Sequence, residues 1–269
     1  MHLDPDPDGT YRRVKLLGLF DGSVLPALGL AAFLAGSPAV PIAIEKEKLS
    51  VGDHAIPVDG FTNTILRYRG TSGAYKTYSA AAVLQSEIRL MTGEKPTLEG
   101  EHILKNKYVL FGFSAPGLYD LKPTPVGGVY PGVEIQATLL DNLLSNDFMS
   151  RSPKWLDISL LMLLSLSCAV LLSIFSSPLQ SVGISTLTVL IPIALSLFMY
   201  HTGYWLSLVV EEIGVFGAIL TSLVVNYATE GKQKRFIKNA FRQYLNPDVI
   251  DQLIPVSYTH LTLPTTPYV

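Results

Sequence analysis

Four side chains that could hold a ligand lie close together. Ser114, Asp120, Thr124 and Glu134 fall in the stretch SAPGLYDLKPTPVGGVYPGVE, directly after the apolar run YVLFGF of Tyr108–Phe113. A run that apolar is the pattern of a strand buried on both faces. Open α/β sheets bind ligands beyond the carboxyl ends of such strands. Pro131 and Gly132 then open a helix, and a helix N-terminus attracts anions. The four residues are therefore candidate ligand contacts. A plainer reading competes with this one: Pro and Gly shape a long loop, and Asp120 and Thr124 cap its turns. Catalysis is not indicated. No nucleophile stands beside a base, no phosphate loop occurs, and His2, His54 and His102 are isolated. The single cysteine, Cys168, leaves no disulfide and no Cys-based metal site. No metal and no cofactor is expected in this chain.

The elements that would position these residues alternate between strand and helix. Tyr11–Leu19 reads as a strand and Leu25–Ala35 as a helix. Ile42–Leu49 and Ile65–Tyr68 read as strands. Ser79–Met91 is an amphipathic helix, with Ala82, Val83, Ile88 and Met91 at helical spacing. Gly132–Leu144 is another, with Val133, Ala137, Leu140 and Leu144 on one face. This alternation predicts an α/β sheet with helical cover over residues 1–154.

Composition then changes abruptly. Residues 158–210 contain no Asp, Glu, Lys or Arg, and a soluble helix pair of that length would still need a wetted face. About 20 apolar residues span a bilayer. Three spans fit, at about 155–175, 182–200 (with Pro192 inside it) and 204–227. Five basic residues follow the third: Lys232, Lys234, Arg235, Lys238 and Arg242. Only Arg151 and Lys154 flank the first. That bias places the C-terminal end in the cytoplasm and residues 1–154 outside. Glu211 and Glu212 sit within the third span. Acids in a membrane are costly and could mark a proton- or ligand-responsive site. The competing reading places both within roughly 10 Å of the outer surface, where they reach water. The lipid bilayer is thus the first expected partner. The formal net charge of −2 argues against a nucleic-acid partner.

Several stretches resemble a known family. They are DPDGTYRRV (Asp6–Val14), VLPALGLAAF (Val24–Phe33), ILRYRG (Ile65–Gly70), KYVLFGFSAPGLYD (Lys107–Asp120) and TPVGGVYPGVEIQATLLDNLL (Thr124–Leu144). The chain is similar over roughly residues 4–227 to the second type of CHASE domain, an extracellular sensory module of bacterial signalling receptors. The family commonly has His where Gln136 stands here. The resemblance implies the three membrane helices, an unknown extracellular ligand and a bacterial inner-membrane location. It also implies that residues 1–154 are the C-terminal half only of an α/β extracytoplasmic sensor domain.

The segment FIKNAFRQYLNPDVIDQLI (Phe236–Ile254) resembles the linker that precedes class III adenylate/guanylate cyclase domains. Residues 228–255 are accordingly expected to be a cytoplasmic helical linker to a cyclase domain outside this chain, one that would use Mg or Mn. Phe236, Ile237, Ala240, Phe241 and Tyr244 form one apolar helical face. Class III cyclases place their active sites between two subunits, so the resemblance implies a homodimer with this face as its contact. A helix lying on the bilayer surface is the competing reading. Asn246 can cap a second helix with Pro247 at its first position. Alternatives for the whole are the sensor of a histidine or serine/threonine receptor kinase, or a membrane-anchored structural domain. The tail 256–269 begins as a common transposase sequencing adapter reads in one frame, and is expected to add nothing to the fold.

Overall fold

The computed structural model describes residues 3–36, 40–98, 103–115, 117, 120–175 and 177–242. Asn246, Pro247, Tyr244 and the tail 256–269 lie outside the described residues. Contacts divide the chain into two units, Met1–Ser152 with Phe198–Leu206, and Pro153–Leu197 with Ser207–Val269.

The first unit runs β1 (Arg13–Lys15), β2 (Leu17–Phe20), β3 (Ser23–Pro26), α1 (Leu28–Gly36), β4 (Ile42–Glu45), β5 (Lys48–Val51), β6 (His54–Pro57) and β7 (Asn63–Ile65). It continues through α2 (Ala80–Met91), β8 (Leu121–Thr124), β9 (Gly127–Pro131), α3 (Gly132–Ser145) and β10 (Ser150–Arg151). Pairing differs from the expected layered sheet. The strands form short antiparallel sets: β1 with β7, β2 with β3, β4 with β5 with β6, and β8 with β9. The expected strand Tyr11–Leu19 breaks in two at the buried Leu16, whose carbonyl accepts from Ala27 N–H at 2.8 Å. β2 then folds back on β3 through Asp21 and Gly22, both at positive φ (48° and 76°). An Asp-Gly pair is a strong signal for a two-residue hairpin.

Helices α1 and α3 cross at the centre of this unit. A Cβ at Gly29 would lie 2.6 Å from the Gln136 carbonyl and 3.1 Å from Leu139, so only glycine permits the approach. Leu30 and Phe33 of α1 and Ile135, Leu139 and Leu143 of α3 are buried there, with Leu49, Val51 and Ile56 of the β4–β6 meander. In β5 the alternation is clear, Leu49 and Val51 turning inward while Lys48 faces solvent.

Two expectations fail here. Tyr108–Phe113 forms no strand, and Phe111 is 75% exposed. Among the described residues no strand lies alongside it, and a lone strand cannot satisfy its own backbone groups. Helix α2 forms as expected, but its apolar stripe is not buried: Ile88 and Met91 are exposed, and Ser86 alone is inside.

The second unit is helical: α4 (Lys154–Ile174), α5 (Pro178–His201, whose last residues belong to the first unit) and α6 (Leu208–Arg242). Each contains a stretch long and apolar enough to cross a membrane, α6 over Leu208–Thr229. β11 (Tyr204–Trp205) joins α5 to α6. Leu164, Cys168 and Leu172 of α4, spaced four apart, are buried in the bundle, as is Val215 of α6. A side chain at Gly214 would strike Leu161 and Ser165 of α4, so this glycine lets α6 close on α4. Asn226 Nδ2 donates to the Leu172 carbonyl at 2.9 Å, and Cys168 Sγ lies 3.6 Å from Thr188 Oγ1 of α5. α5 continues through Pro192 without interruption.

Candidate functional site

The loop expected after Phe113 is a hairpin followed by a helix. Thr124 Oγ1 donates to the Gly127 carbonyl at 3.1 Å and closes the β8–β9 turn, the capping role that the plainer reading gave it. Asp120 accepts from Gly132 N–H through its own carbonyl at 2.9 Å, and its carboxylate occupies the space a Cβ at Gly132 would need. The acid therefore sits at the N-terminus of α3, where a negative charge is favoured. Ser114 is exposed. Glu134 is buried in the first turn of α3; its carboxylate accepts from Ser72 Oγ at 2.9 Å and Gly73 N–H at 3.0 Å. It thereby pins the 72–73 turn onto α3. Gln136 caps α1: its Oε1 accepts from Gly29 N–H at 3.0 Å. The four candidates are therefore not convergent. Thr124, Asp120 and Glu134 each serve local structure.

A cavity of about 460 Å³ lies on the other side of α3. Val133, Ala137, Leu140 and Leu144 line it, the face whose spacing was legible in the sequence. The buried core takes the adjoining face of the same helix, Ile135, Leu139 and Leu143, and shares the buried Leu140 with the cavity. Helix α3 is thus apolar on two sides, one in the core and one in the cavity. Tyr75, Lys76 and Thr77 form a second wall, and Lys107, Tyr108 and Leu110 a third. Glu134 and Asp141 also line it. Burial pushes the Tyr75 phenol above its ordinary value, so it stays a neutral donor. Its hydroxyl is buried and, although Thr138 lies beside it, makes no hydrogen bond of normal geometry. Of the residues predicted from sequence, Glu134 alone reaches this cavity. Tyr75 and Lys76 come from a segment with no recognisable motif and Lys107 from the start of one quoted for its resemblance; only the fold brings them together.

From Asp141 a chain of ion pairs leads away. Arg69 Nε donates to Asp141 at 2.6 Å, Arg69 Nη1 to Asp147 at 2.5 Å and Arg67 Nη1 to Asp147 at 2.6 Å. Arg67 Nη2 donates to the His201 carbonyl at 3.1 Å, and its guanidinium lies 5.9 Å from the Tyr200 ring centre. Asn142 holds the Arg67 backbone on both sides, accepting its N–H at 2.9 Å and donating to its carbonyl at 3.0 Å. Beside it β10 pairs in parallel with β11, Ser150↔Tyr204 and Arg151↔Trp205. The α5–α6 turn is thus built into the same folded unit as the cavity.

Glu211 does not reach water as the surface reading required. It is fully buried, and among the described residues its carboxylate has no hydrogen-bond partner. The Ser165 hydroxyl is likewise buried without one. Glu212 is half-buried. At the far end of α6, Phe236, Ile237 and Ala240 are exposed, while the side chains of Phe241 and Tyr244 lie outside the described residues.

The family model for the CHASE2 domain matches residues 1–174. Neither the curated proteins nor the solved structures contain a match to this chain. A CHASE2 sensor domain followed by helices able to cross a membrane fits a signalling receptor. With the match running from the first residue through the first of those helices, the chain belongs to the CHASE2 domain family.

Proposed function

We propose that this chain is the extracytoplasmic sensor and membrane relay of a receptor whose output is a class III adenylate or guanylate cyclase. One observation carries the reading. Helix α6 begins three residues after Trp205, whose turn belongs to the sensor unit, and runs unbroken to Arg242. At 1.5 Å per residue its 35 residues make a rod about 50 Å long. A continuous helix transmits rotation or displacement better than a jointed one. Its exposed Phe236, Ile237 and Ala240 supply an apolar face on which two copies can pair. Lys232 and the further basic residues after the third span support a cytoplasmic end for it. The pattern of Phe236–Ile254 supports cyclase rather than kinase output. Mg or Mn would serve that output domain.

The test uses the full-length gene that carries this chain. The purified product, supplied with ATP or GTP and Mn²⁺, is expected to form a cyclic nucleotide. The chain of residues 1–269 alone is expected to form none. A product that phosphorylates a protein substrate and forms no cyclic nucleotide would replace the cyclase reading with the receptor-kinase one.

A further inference from the structure

We propose that the cavity between α3, residues 75–77 and residues 107–110 binds a small amphipathic anion, a carboxylate carried on an apolar or aromatic body. The inference rests on reading the chain as a sensor and names the chemistry of what it senses. Its volume of about 460 Å³ suits a ligand of ordinary small-molecule size, since such pockets span roughly 300–1,000 Å³. The floor is apolar: Val133, Ala137, Leu140 and Leu144 present one face of α3 to it. An apolar body is what that floor stabilises.

The acids that line it have partners, whereas its lysines have none among the described residues. Glu134 already accepts from Ser72 and Gly73, and Asp141 is paired with Arg69. Each carboxylate is thus already engaged, Glu134 by two neutral donors and Asp141 by a guanidinium. Lys76 and Lys107 pair with no carboxylate among the described residues. Two point cations therefore stand unpaired at the edge of an apolar floor. A single carboxylate matches them. A polyphosphate fits less well, because it would desolvate the floor without using it and the lining offers no arginine fork.

Three ligands with one body and three charges separate the possibilities: 4-phenylbutyrate, 4-phenylbutanamide and 4-phenylbutylamine. They are titrated against the full chain in phosphatidylcholine nanodiscs by ligand-observed NMR, with empty nanodiscs subtracted. The acid is expected to bind about tenfold more tightly than the amine, a difference of about 1.4 kcal/mol, with the amide between them. Combining Lys76→Ala with Lys107→Ala should erase the preference for the acid and leave amide binding unchanged. Ala137→Trp, which fills the floor, should abolish binding of all three while the chain still melts cooperatively. Amine binding as tight as the acid, no detectable acid binding, or acid affinity unchanged in the double lysine variant would overturn the proposal. No output domain enters this experiment, so it fails or succeeds independently of the cyclase assay.

Discussion

Glu134 and Asp147 show how differently two acids can be held in one domain. Glu134 is buried and satisfied by a hydroxyl and a backbone N–H. Glu134→Ala leaves both donors without their partner and should cost about 1–3 kcal/mol of stability. Hydrogen exchange at Gly73 should accelerate in the same variant. Asp147 sits between two guanidiniums. Burial alone would push its carboxyl up, but hydrogen bonds from Arg69 and Arg67 outweigh that and hold it below the ordinary range. A carboxylate depressed in the folded state contributes stability above its unfolded value, near about 3.9, and loses it as pH falls through the folded one. The melting temperature should therefore drop as pH falls below about 4, and Arg69→Gln should make that drop shallower. Melting curves from neutral to strongly acidic buffer read both effects. Glu211 is the opposite case, buried without a partner in the helical bundle. If its role is packing alone, Glu211→Leu should raise the melting temperature in lipid, since replacing an unpaired buried acid by a hydrocarbon removes a desolvation cost. A fall instead would assign the carboxylate a bound proton or ligand.

Helix α3 and helix α6 are the elements on which the account turns, and the sequence disclosed them unequally. The spacing of Val133, Ala137, Leu140 and Leu144 located α3 and one of its faces, yet that face lines the cavity while Ile135, Leu139 and Leu143 fill the core. A helix apolar on two sides gives a periodicity that does not say which side is inside. The three helices able to cross a membrane were legible within a few residues, because charge-free length is a property of the chain alone. Tyr108–Phe113 misled: apolarity marks what prefers burial, but a strand also needs a neighbour to pair with. The hairpins β2–β3 and β8–β9 were missed, although Asp21-Gly22 carried the signal of the first. The cavity was missed because Lys76 and Lys107 become neighbours only through the fold. For α6 the dimer proposal makes a direct prediction. In the full-length protein Phe241→Asp should break the dimer and abolish output, since an unpaired charge buried in each subunit costs several kcal/mol. Arg242→Glu should do little. Analytical ultracentrifugation in detergent reads the first result. Silencing by Arg242→Glu with the dimer intact would favour a helix docked on anionic lipid, where each basic residue contributes about 1 kcal/mol.

The whole molecule joins a CHASE2 sensor domain to three helices able to cross a membrane, with the α5–α6 turn incorporated in the sensor unit. Asp141, Arg69, Asp147 and Arg67 link the cavity wall to that turn through consecutive ion pairs. The relay proposed for the chain requires these parts to face opposite sides of a bilayer. In the receptor proposed here, the bias of basic residues after the third candidate span argues for the sensor outside and the end of α6 inside. Single cysteines at Gly128, exposed on the β8–β9 hairpin, and at Gln233, beyond the third span, test this in a Cys168→Ala background. In intact spheroplasts an impermeant maleimide should label Gly128→Cys at once and Gln233→Cys only after lysis. Labelling of Gln233→Cys in intact cells, with Gly128→Cys protected until lysis, would put the sensor in the cytoplasm and contradict the receptor reading.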